Sequence, residues 1–269
     1  MIRLLDIEFF KLKNSKYFWV LFILFIIFLI AVPVGINLFF DTVKTGQMTA
    51  QGKMLVSQVS SFYSSDLWQN LTYIYKLGTL LLSFIVIISI TSEYNYKTIK
   101  QNIIDGLSKK EFLLSKIFMI FIISILVTIS IGLVGIITSY LFSDISSFSQ
   151  IFEKIHFLAY YFLYVFNFLL FSLFLGLLIK KSGVGIAVMM FYVVMIEPII
   201  VAVTTYGLKI KWLSAFYPMN GPYNLIPSPF SKFLVQDVDN IFNKSLYVTV
   251  FYIIFYIYSS YFLLNKRDL

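Results

Sequence analysis

Few side chains in this 269-residue sequence could carry out catalysis or hold a metal ion. The chain has no cysteine and a single histidine, His156, so thiolate nucleophiles, disulfides and histidine-rich metal sites are excluded. The strings H-E-x-x-H and G-x-S-x-G are absent, which argues against an intramembrane protease or hydrolase. We therefore predict no catalytic residue and no metal site.

One acidic residue, Glu197, lies inside a long apolar stretch and is followed by Pro198. A carboxylate at the centre of a membrane helix costs roughly 2.5 to 3.5 kcal/mol on insertion scales, and proline removes a helical hydrogen bond. Two interpretations remain open. Glu197 either lines a transport path or pins an outer gate, or it is a protonated or hydrogen-bonded carboxyl at a structural kink.

The elements that must position these residues are membrane-spanning helices. The chain is 59% hydrophobic and 13% charged, with a mean hydropathy of +0.88. A helix needs about 20 apolar residues to cross a bilayer core, and six stretches are long enough. We predict an all-α integral membrane protein with a single transmembrane domain, residues 1–269, and spans at about residues 17–40, 73–91, 111–142, 157–179, 184–206 and 246–264.

The basic residues predict the orientation of these spans. Of the 21 Lys and Arg residues, 13 fall in the 50 residues of segments 1–16, 92–116, 180–183 and 265–269, which include the first turns of span three. The other 8 fall in the 88 residues of segments 41–76, 143–155 and 207–245, which include the first turn of span two. The positive-inside rule then places both termini in the cytoplasm. This topology accounts for the net charge of +8 without a nucleic-acid partner. Trp19, Trp68 and Trp212 fall near span ends and are predicted to lie in interfacial belts.

The connection between spans two and three, residues 92–110, is predicted to form a short amphipathic helix. Tyr96, Ile99 and Ile103 fall on one face of this helix, and Gly106 is suited to a left-handed C-terminal cap. The pattern Ser108-x-x-Glu111 predicts a capping box that starts span three near residue 109. The loop is either a basic segment anchored to anionic lipids or a rigid helix whose apolar stripe a soluble partner grips.

These features resemble the permease subunits of type-2 ATP-binding-cassette (ABC) exporters, including bacitracin-resistance and lantibiotic-immunity transporters. The resemblance covers nearly the whole chain and is strongest from Glu93 to Lys116. The N-terminal RLLDIEFFKLKNSK and the C-terminal KRDL are similar to family segments, whereas Lys97 stands where many relatives carry glycine.

The resemblance implies that the loop contains a coupling helix that docks on a separate ABC ATPase subunit. Two ATPase copies and a second permease subunit, identical or homologous, are then expected in a bacterial cytoplasmic membrane. No Walker A string occurs here, so ATP and magnesium are expected on the partner and no cofactor on this chain. The implied docking residues are Glu93, Tyr96, Lys97, Thr98, Ile99, Lys100, Gln101, Asn102, Ile103, Asp105 and Gly106.

The remaining segments are given simpler interpretations. Residues 1–16 are predicted to form a helix at the membrane interface, in preference to a helix buried against the coupling region. Residues 207–245 are predicted to form short interfacial or re-entrant helices that cap the exit of the path, or a plain lipid-facing loop. Lys76 is expected to snorkel to the outer interface, and Asn167 to bond between helices.

The predicted function is export of an amphiphilic cargo, whether peptide, antibiotic or lipid. A secondary transporter or channel that works without an ATPase is the alternative, but only the Glu197-Pro198 pair favours it, since such proteins show several ionisable groups near the midplane.

Overall fold

The computed structural model describes residues 2–44, 66–142, 152–228 and 238–266. Residues 229–237 of the predicted outer segment, and residues 267–269 of the C-terminal KRDL, lie outside the described residues. Across the described ranges all regular structure is helical, with no β-strand, and six helices are long and apolar enough to cross a membrane. The spans are Lys16–Phe39, Leu67–Asn95, Lys109–Leu141, His156–Ile179, Ser182–Gly207 and Lys244–Lys266.

The helices that contain these spans extend somewhat beyond them. Span one belongs to helix Lys16–Lys44, span three to Lys109–Phe142 and span six to Val238–Lys266. The described shorter helices are an N-terminal helix at Ile2–Lys13, a loop helix at Thr98–Ile104, and two short helices after span five at Lys211–Ser214 and Asn220–Tyr223.

Span four is the centre of the bundle. It packs against spans two, three and six, and 67% of its apolar stretch is buried, compared with 11% for span five. Spans two and four approach closely because Gly176 has no side chain, and a Cβ there would lie 2.2 Å from Ile90 Cγ2. Spans one and five are the least enclosed of the six, so their apolar faces are available to lipid or to another chain.

One of the three tryptophans contradicts the interfacial prediction. Trp19 and Trp212 are exposed, but Trp68 is only 1% exposed. Its ring packs against Gly135 of span three, where a Cβ would lie 2.5 Å from the indole. The prediction failed because position near a span end does not reveal which way a side chain faces. Asn167, by contrast, donates to the Thr249 carbonyl of span six at 3.3 Å, as predicted.

Spans two and five both depart from regular α-helix. Span two contains a tight 3₁₀ turn at Lys76–Gly78. Span five contains two π-helical turns, Tyr192–Ile196 and Val203–Gly207, on either side of Glu197–Ala202. Pro198 follows the first of these turns, and a wider turn accommodates a proline ring that would clash with a regular helical carbonyl.

The N-terminal helix is held more firmly than the interfacial prediction implied. It packs against span three, with Glu8 and Leu12 buried, while Ile7 and Phe10 on the other side are exposed. One face therefore belongs to the protein core and the other remains available to the membrane surface.

The close approach of spans two and four predicts a specific effect of Gly176→Ala. The added methyl group overlaps the branched side chain of Ile90, which cannot swing away as a flexible chain would, so we expect a loss of about 1 to 3 kcal/mol of stability. Thermal melting of purified protein in detergent measures it. Gly35→Ala in span one is the control, since a Cβ there meets nothing within 4 Å; equal melting temperatures for the two variants would contradict the packing.

Candidate functional site

Several separated segments meet at one end of the bundle, here called the loop-helix end. Lys109 Nζ at the start of span three donates to the Asn265 carbonyl near the end of span six at 3.5 Å. The Lys180 ammonium after span four lies 4.8 Å from the ring centroid of Tyr94 at the end of span two. The basic residues predicted to share one side of the membrane are thus brought together at one end.

The loop helix is defined by a left-handed residue before it and another after it. Lys97 has φ +55° and Gly106 has φ +94°. Glycine adopts such angles without steric cost, which explains why glycine suits the position that Lys97 occupies here. The Thr98 hydroxyl donates to the Glu93 carbonyl at 3.3 Å, and the Leu107 N–H donates to the Asn102 carbonyl at 2.9 Å. These bonds connect both ends of the loop helix to the neighbouring backbone.

The structure corrects the predicted use of the apolar stripe. Ile99 is 1% exposed and Ile103 packs against the core, so this face fastens the loop helix to the bundle and is not free for a partner. Tyr96 precedes the helix and is 80% exposed. The exposed surface of the loop helix and its flanks, called here the loop-helix outer face, consists of Tyr96, Lys97, Lys100, Gln101, Ile104, Asp105 and Gly106.

Ser108 and Glu111 make the reciprocal bonds of a capping box. The Ser108 N–H donates to Glu111 Oε2 at 2.9 Å, and the Glu111 N–H donates to Ser108 Oγ at 3.2 Å. These bonds satisfy backbone donors that a helix start leaves without partners. Span three accordingly begins at Lys109.

Four charged side chains form a buried ion cluster near the loop helix, with Lys11 at its partly exposed edge. Lys116 Nζ, 1% exposed, contacts Glu8 Oε2 and lies 2.7 Å from Glu93 Oε1. Lys11 Nζ lies 2.9 Å from Glu93 Oε1 and 3.3 Å from Glu8 Oε1. The two positive and two negative charges balance, as burial requires. This ion cluster joins the N-terminal helix to spans two and three.

The neighbouring carboxylates also change the pKa of Lys11, which belongs to the N-terminal helix and lies outside the spans. Burial by itself would lower the pKa of Lys11, but the carboxylates of Glu93 and Glu8 more than offset that effect and raise it. Lys11 is therefore fully charged at physiological pH. Because its folded-state pKa exceeds the unfolded one, its stabilising contribution is complete at neutral pH and is lost only as the pH rises through the raised pKa.

Sequence reasoning missed Glu8 and Lys11 as partners in this cluster. The available signal was the presence of opposite charges at adjacent helix ends, Glu93 closing span two and Lys116 near the start of span three. It did not identify which residue of the N-terminal helix would reach them, because the helix carries apolar residues on more than one face.

Removing the central lysine should release the N-terminal helix. Lys116→Met leaves Glu8 and Glu93 buried without adequate compensation, and breaking such a pair costs about 3 to 5 kcal/mol. We expect faster tryptic cleavage within the N-terminal helix and a lower melting temperature. Lys110→Met, at an exposed position, is the control. Adding Glu8→Gln to Lys116→Met should restore part of the loss, and cleavage that is the same in all variants would refute the role of the cluster.

At the other end of the bundle, Glu197 holds the segment that follows span five. Its Oε1 accepts the N–H groups of Met219 at 2.8 Å and Asn220 at 2.6 Å, and the carboxyl is buried. Pro198 lines the same region. A polar contact with the segment after span five is thus present, whereas the sequence left both a gate and a structural kink open.

Lys76 holds the other end of the same short segment, which corrects the expectation that it snorkels. It is 3% exposed, and its Nζ donates to the carbonyls of Tyr223 and Ile226, each at 2.7 Å. The ammonium also lies 3.6 Å from the Tyr223 ring centroid and 4.5 Å from that of Tyr73, within the range of cation–π attraction. Lys76 begins the 3₁₀ turn of span two, and its side chain lies in the interior of the bundle.

Glu197 and Lys76 therefore form a charge clamp on residues 219–226. The negative side chain accepts N–H groups at the start of this segment, and the positive side chain donates to carbonyl groups at its end. Each charge faces the backbone dipole that stabilises it. Beneath the clamp lies a cavity of about 670 Å³ bounded by spans two, four and five.

Cutting the clamp at Lys76 should expose the segment. Lys76→Met removes the ammonium that binds the Tyr223 and Ile226 carbonyls. The Tyr223 carbonyl keeps only the longer 3.4 Å bond from the Ile226 N–H, so residues 223–226 should open to water. Since the chain has no native cysteine, Ile226→Cys introduces a single thiol at a fully buried position. We expect its maleimide labelling to become several-fold faster with Lys76→Met and to stay unchanged with Lys209→Met, an exposed control. Equal rates in both backgrounds would argue against the clamp.

Within the described ranges, no group of three or more His, Asp or Glu side chains is arranged to hold a metal ion. The two polar assemblies hold helices together, and neither places a nucleophile beside a base. Their chemistry is that of binding and mechanical connection.

Comparison with known families matches residues 4–196 to the profile of ABC-2 family transporter proteins. The match takes in the N-terminal helix, spans one to four, the loop helix and span five as far as the residue before Glu197. No curated protein gives a significant match. The family profile covers most of the chain, and six helices are long and apolar enough to span a membrane. This protein therefore belongs to the ABC-2 transporter family and is a multi-pass membrane permease of that family.

Proposed function

We propose that this chain is the passive membrane subunit of an ABC exporter, driven by ATP hydrolysis on a separate ATPase subunit. In this proposal the loop helix is the coupling helix that receives force from the ATPase. Nucleotide and magnesium bind to the partner, and this chain supplies the cargo route.

The observation that carries the proposal is the asymmetric setting of the loop helix. Ile99 anchors it in the core, while Ile104 on the other side is 83% exposed. Tyr96, Lys100 and Gln101 are also directed away from the bundle. An exposed isoleucine and tyrosine with polar neighbours form a suitable protein contact. Because the helix is fastened underneath, a load on its exposed side is transmitted to the bundle.

The buried ion cluster supports this mechanical role. Glu93 belongs to the span that leads into the loop helix, and its carboxylate bonds to Lys11 and Lys116. A displacement of the loop helix therefore acts on the N-terminal helix and span three together. In this proposal the loop helix, the N-terminal helix and span three move as one unit.

A second permease subunit is proposed to complete the path. Six helices seldom enclose a wide route, and spans one and five leave most of their apolar surface uncovered. Two permeases and two ATPases then form the working unit. The loop-helix end and both termini face the cytoplasm of a bacterial cell, as the basic residues favour, and the clamped segment faces outward as a cap on the exit.

The proposed cargo is an amphiphile, such as a peptide, an antibiotic or a lipid. The aromatic lining of the outer cavity suits apolar surfaces. An ion-driven mechanism receives less support, because Glu197 and Lys76 are engaged with the backbone of residues 219–226 and Lys116 with carboxylates.

Docking through the loop-helix outer face predicts that Ile104→Asp separates the ATPase from this chain. A buried carboxylate at the centre of the contact would cost about 2 kcal/mol or more, so recovery of the ATPase by co-purification should fall by more than tenfold while the melting temperature stays unchanged. Lys16→Asp tests the effect of an aspartate at an exposed site outside the loop helix. Full recovery with Ile104→Asp would rule out this docking face.

A further inference from the structure

We propose that the cavity beneath the charge clamp binds an amphiphile that carries a primary amine at the end of a long apolar chain. This inference concerns ligand binding within one subunit. It does not require that the cavity lie on the cargo route or that an ATPase be attached.

The size and walls of the cavity fit the apolar part of such a ligand. Its volume of about 670 Å³ falls within the range of pockets that enclose small organic molecules. Most of the lining is aliphatic or aromatic, and it includes Leu77, Val194 and Tyr206, which are 65%, 54% and 81% exposed. These residues belong to spans two and five, so the cavity opens sideways on the apolar outer surface of a single subunit.

The polar groups of the cavity determine the head group. Lys76 has two of its three N–H donors on backbone carbonyls, and its charge lies against aromatic rings, closest to Tyr223. An anionic head group therefore meets a lysine whose charge is already compensated. An anion would also approach the carboxylate of Glu197.

Glu197, in contrast, retains capacity to accept hydrogen bonds. Oε1 accepts both backbone N–H groups. Oε2 is buried and accepts no hydrogen bond of normal geometry from the described part of the chain, although the Tyr192 hydroxyl interacts with the carboxyl. A ligand that donates to Oε2 would satisfy this atom. An ammonium does so with both partners charged, and it adds a Coulomb attraction to the carboxylate that a neutral hydroxyl lacks.

The ammonium chemistry has two natural sources, an aminophospholipid of the surrounding bilayer and a free cationic amphiphile. Both present a primary amine and an apolar chain to the same opening. Lipid analysis of the purified protein separates them.

Binding can be measured with radiolabelled dodecylamine and purified protein in nanodiscs whose lipid is phosphatidylcholine, a lipid without a primary amine, with empty nanodiscs subtracted. We expect saturable binding that unlabelled dodecylamine displaces, that dodecanol displaces at least about tenfold more weakly, and that dodecyl sulfate does not displace. Glu197→Gln removes the negative charge and should weaken binding about tenfold. Displacement by all three compounds at equal concentrations would overturn the proposal.

Two further variants keep the test decisive if Glu197→Gln is unstable. Ala202→Phe places a ring in the cavity wall without altering the clamp, and it should abolish dodecylamine binding. Ile199→Phe adds the same ring at a 57% exposed position of span five outside the lining, and it should leave binding intact. Equal binding by these two variants would locate the amine elsewhere and refute the site.

Mass spectrometry of lipids that co-purify from native membranes identifies the source. Enrichment of aminophospholipid with the wild type but not with Ala202→Phe assigns the bilayer as the source. Dodecylamine binding without such enrichment assigns a free amphiphile. Absence of both overturns the proposal, and because no ATPase is used, this failure is distinct from failure of the docking proposal.

Discussion

A charged side chain inside an apolar helical bundle must find an opposite charge or an oriented backbone dipole, because an uncompensated buried ion costs several kcal/mol. This chain satisfies that constraint differently at its two ends. At the loop-helix end, Lys116 is compensated by the carboxylates of Glu8 and Glu93. At the other end, Lys76 and Glu197 are compensated by the backbone of residues 219–226. Compensation therefore attaches the N-terminal helix and residues 219–226 to the spans.

Span two takes part in both assemblies, which gives it a special position in the proposed mechanism. Glu93 lies near one end of this span and Lys76 near the other, with the regular helix Thr79–Asn95 between the 3₁₀ turn and the loop. Span two is also well enclosed and packs closely against span four. Because the same span enters both assemblies, span two is the most direct structural connection between the loop helix and residues 219–226.

The sequence predicted elements whose signals are local, and it failed where the answer depended on the direction of a side chain in three dimensions. The six spans have a local signal because the length of an apolar run predicts them. The Ser108-x-x-Glu111 capping box has a local signal because its hydrogen bonds join residues three positions apart. The same loop helix was predicted, but its apolar stripe was assigned to a partner when Ile99 in fact faces the bundle. Lys76 and Trp68 were misplaced for a similar reason. A position near a span end allows either an interfacial or an interior side chain, and only the packing of neighbouring helices decides.

The ion cluster contributes more to geometry than to net stability. Replacing a buried ion pair by apolar side chains is often neutral or stabilising, so burial of Leu12 and its neighbours could by itself hold the N-terminal helix on the bundle. Apolar contacts are non-directional, however, and they tolerate sliding of one helix along another. The hydrogen bonds that Lys116 and Lys11 donate to Glu93 Oε1, at 2.7 and 2.9 Å, are directional and do not tolerate such sliding. They fix the N-terminal helix in one register against the residues that lead into the loop helix. The coupling role proposed for that loop requires such a fixed register, because a helix free to slide would absorb the displacement before it reached the spans.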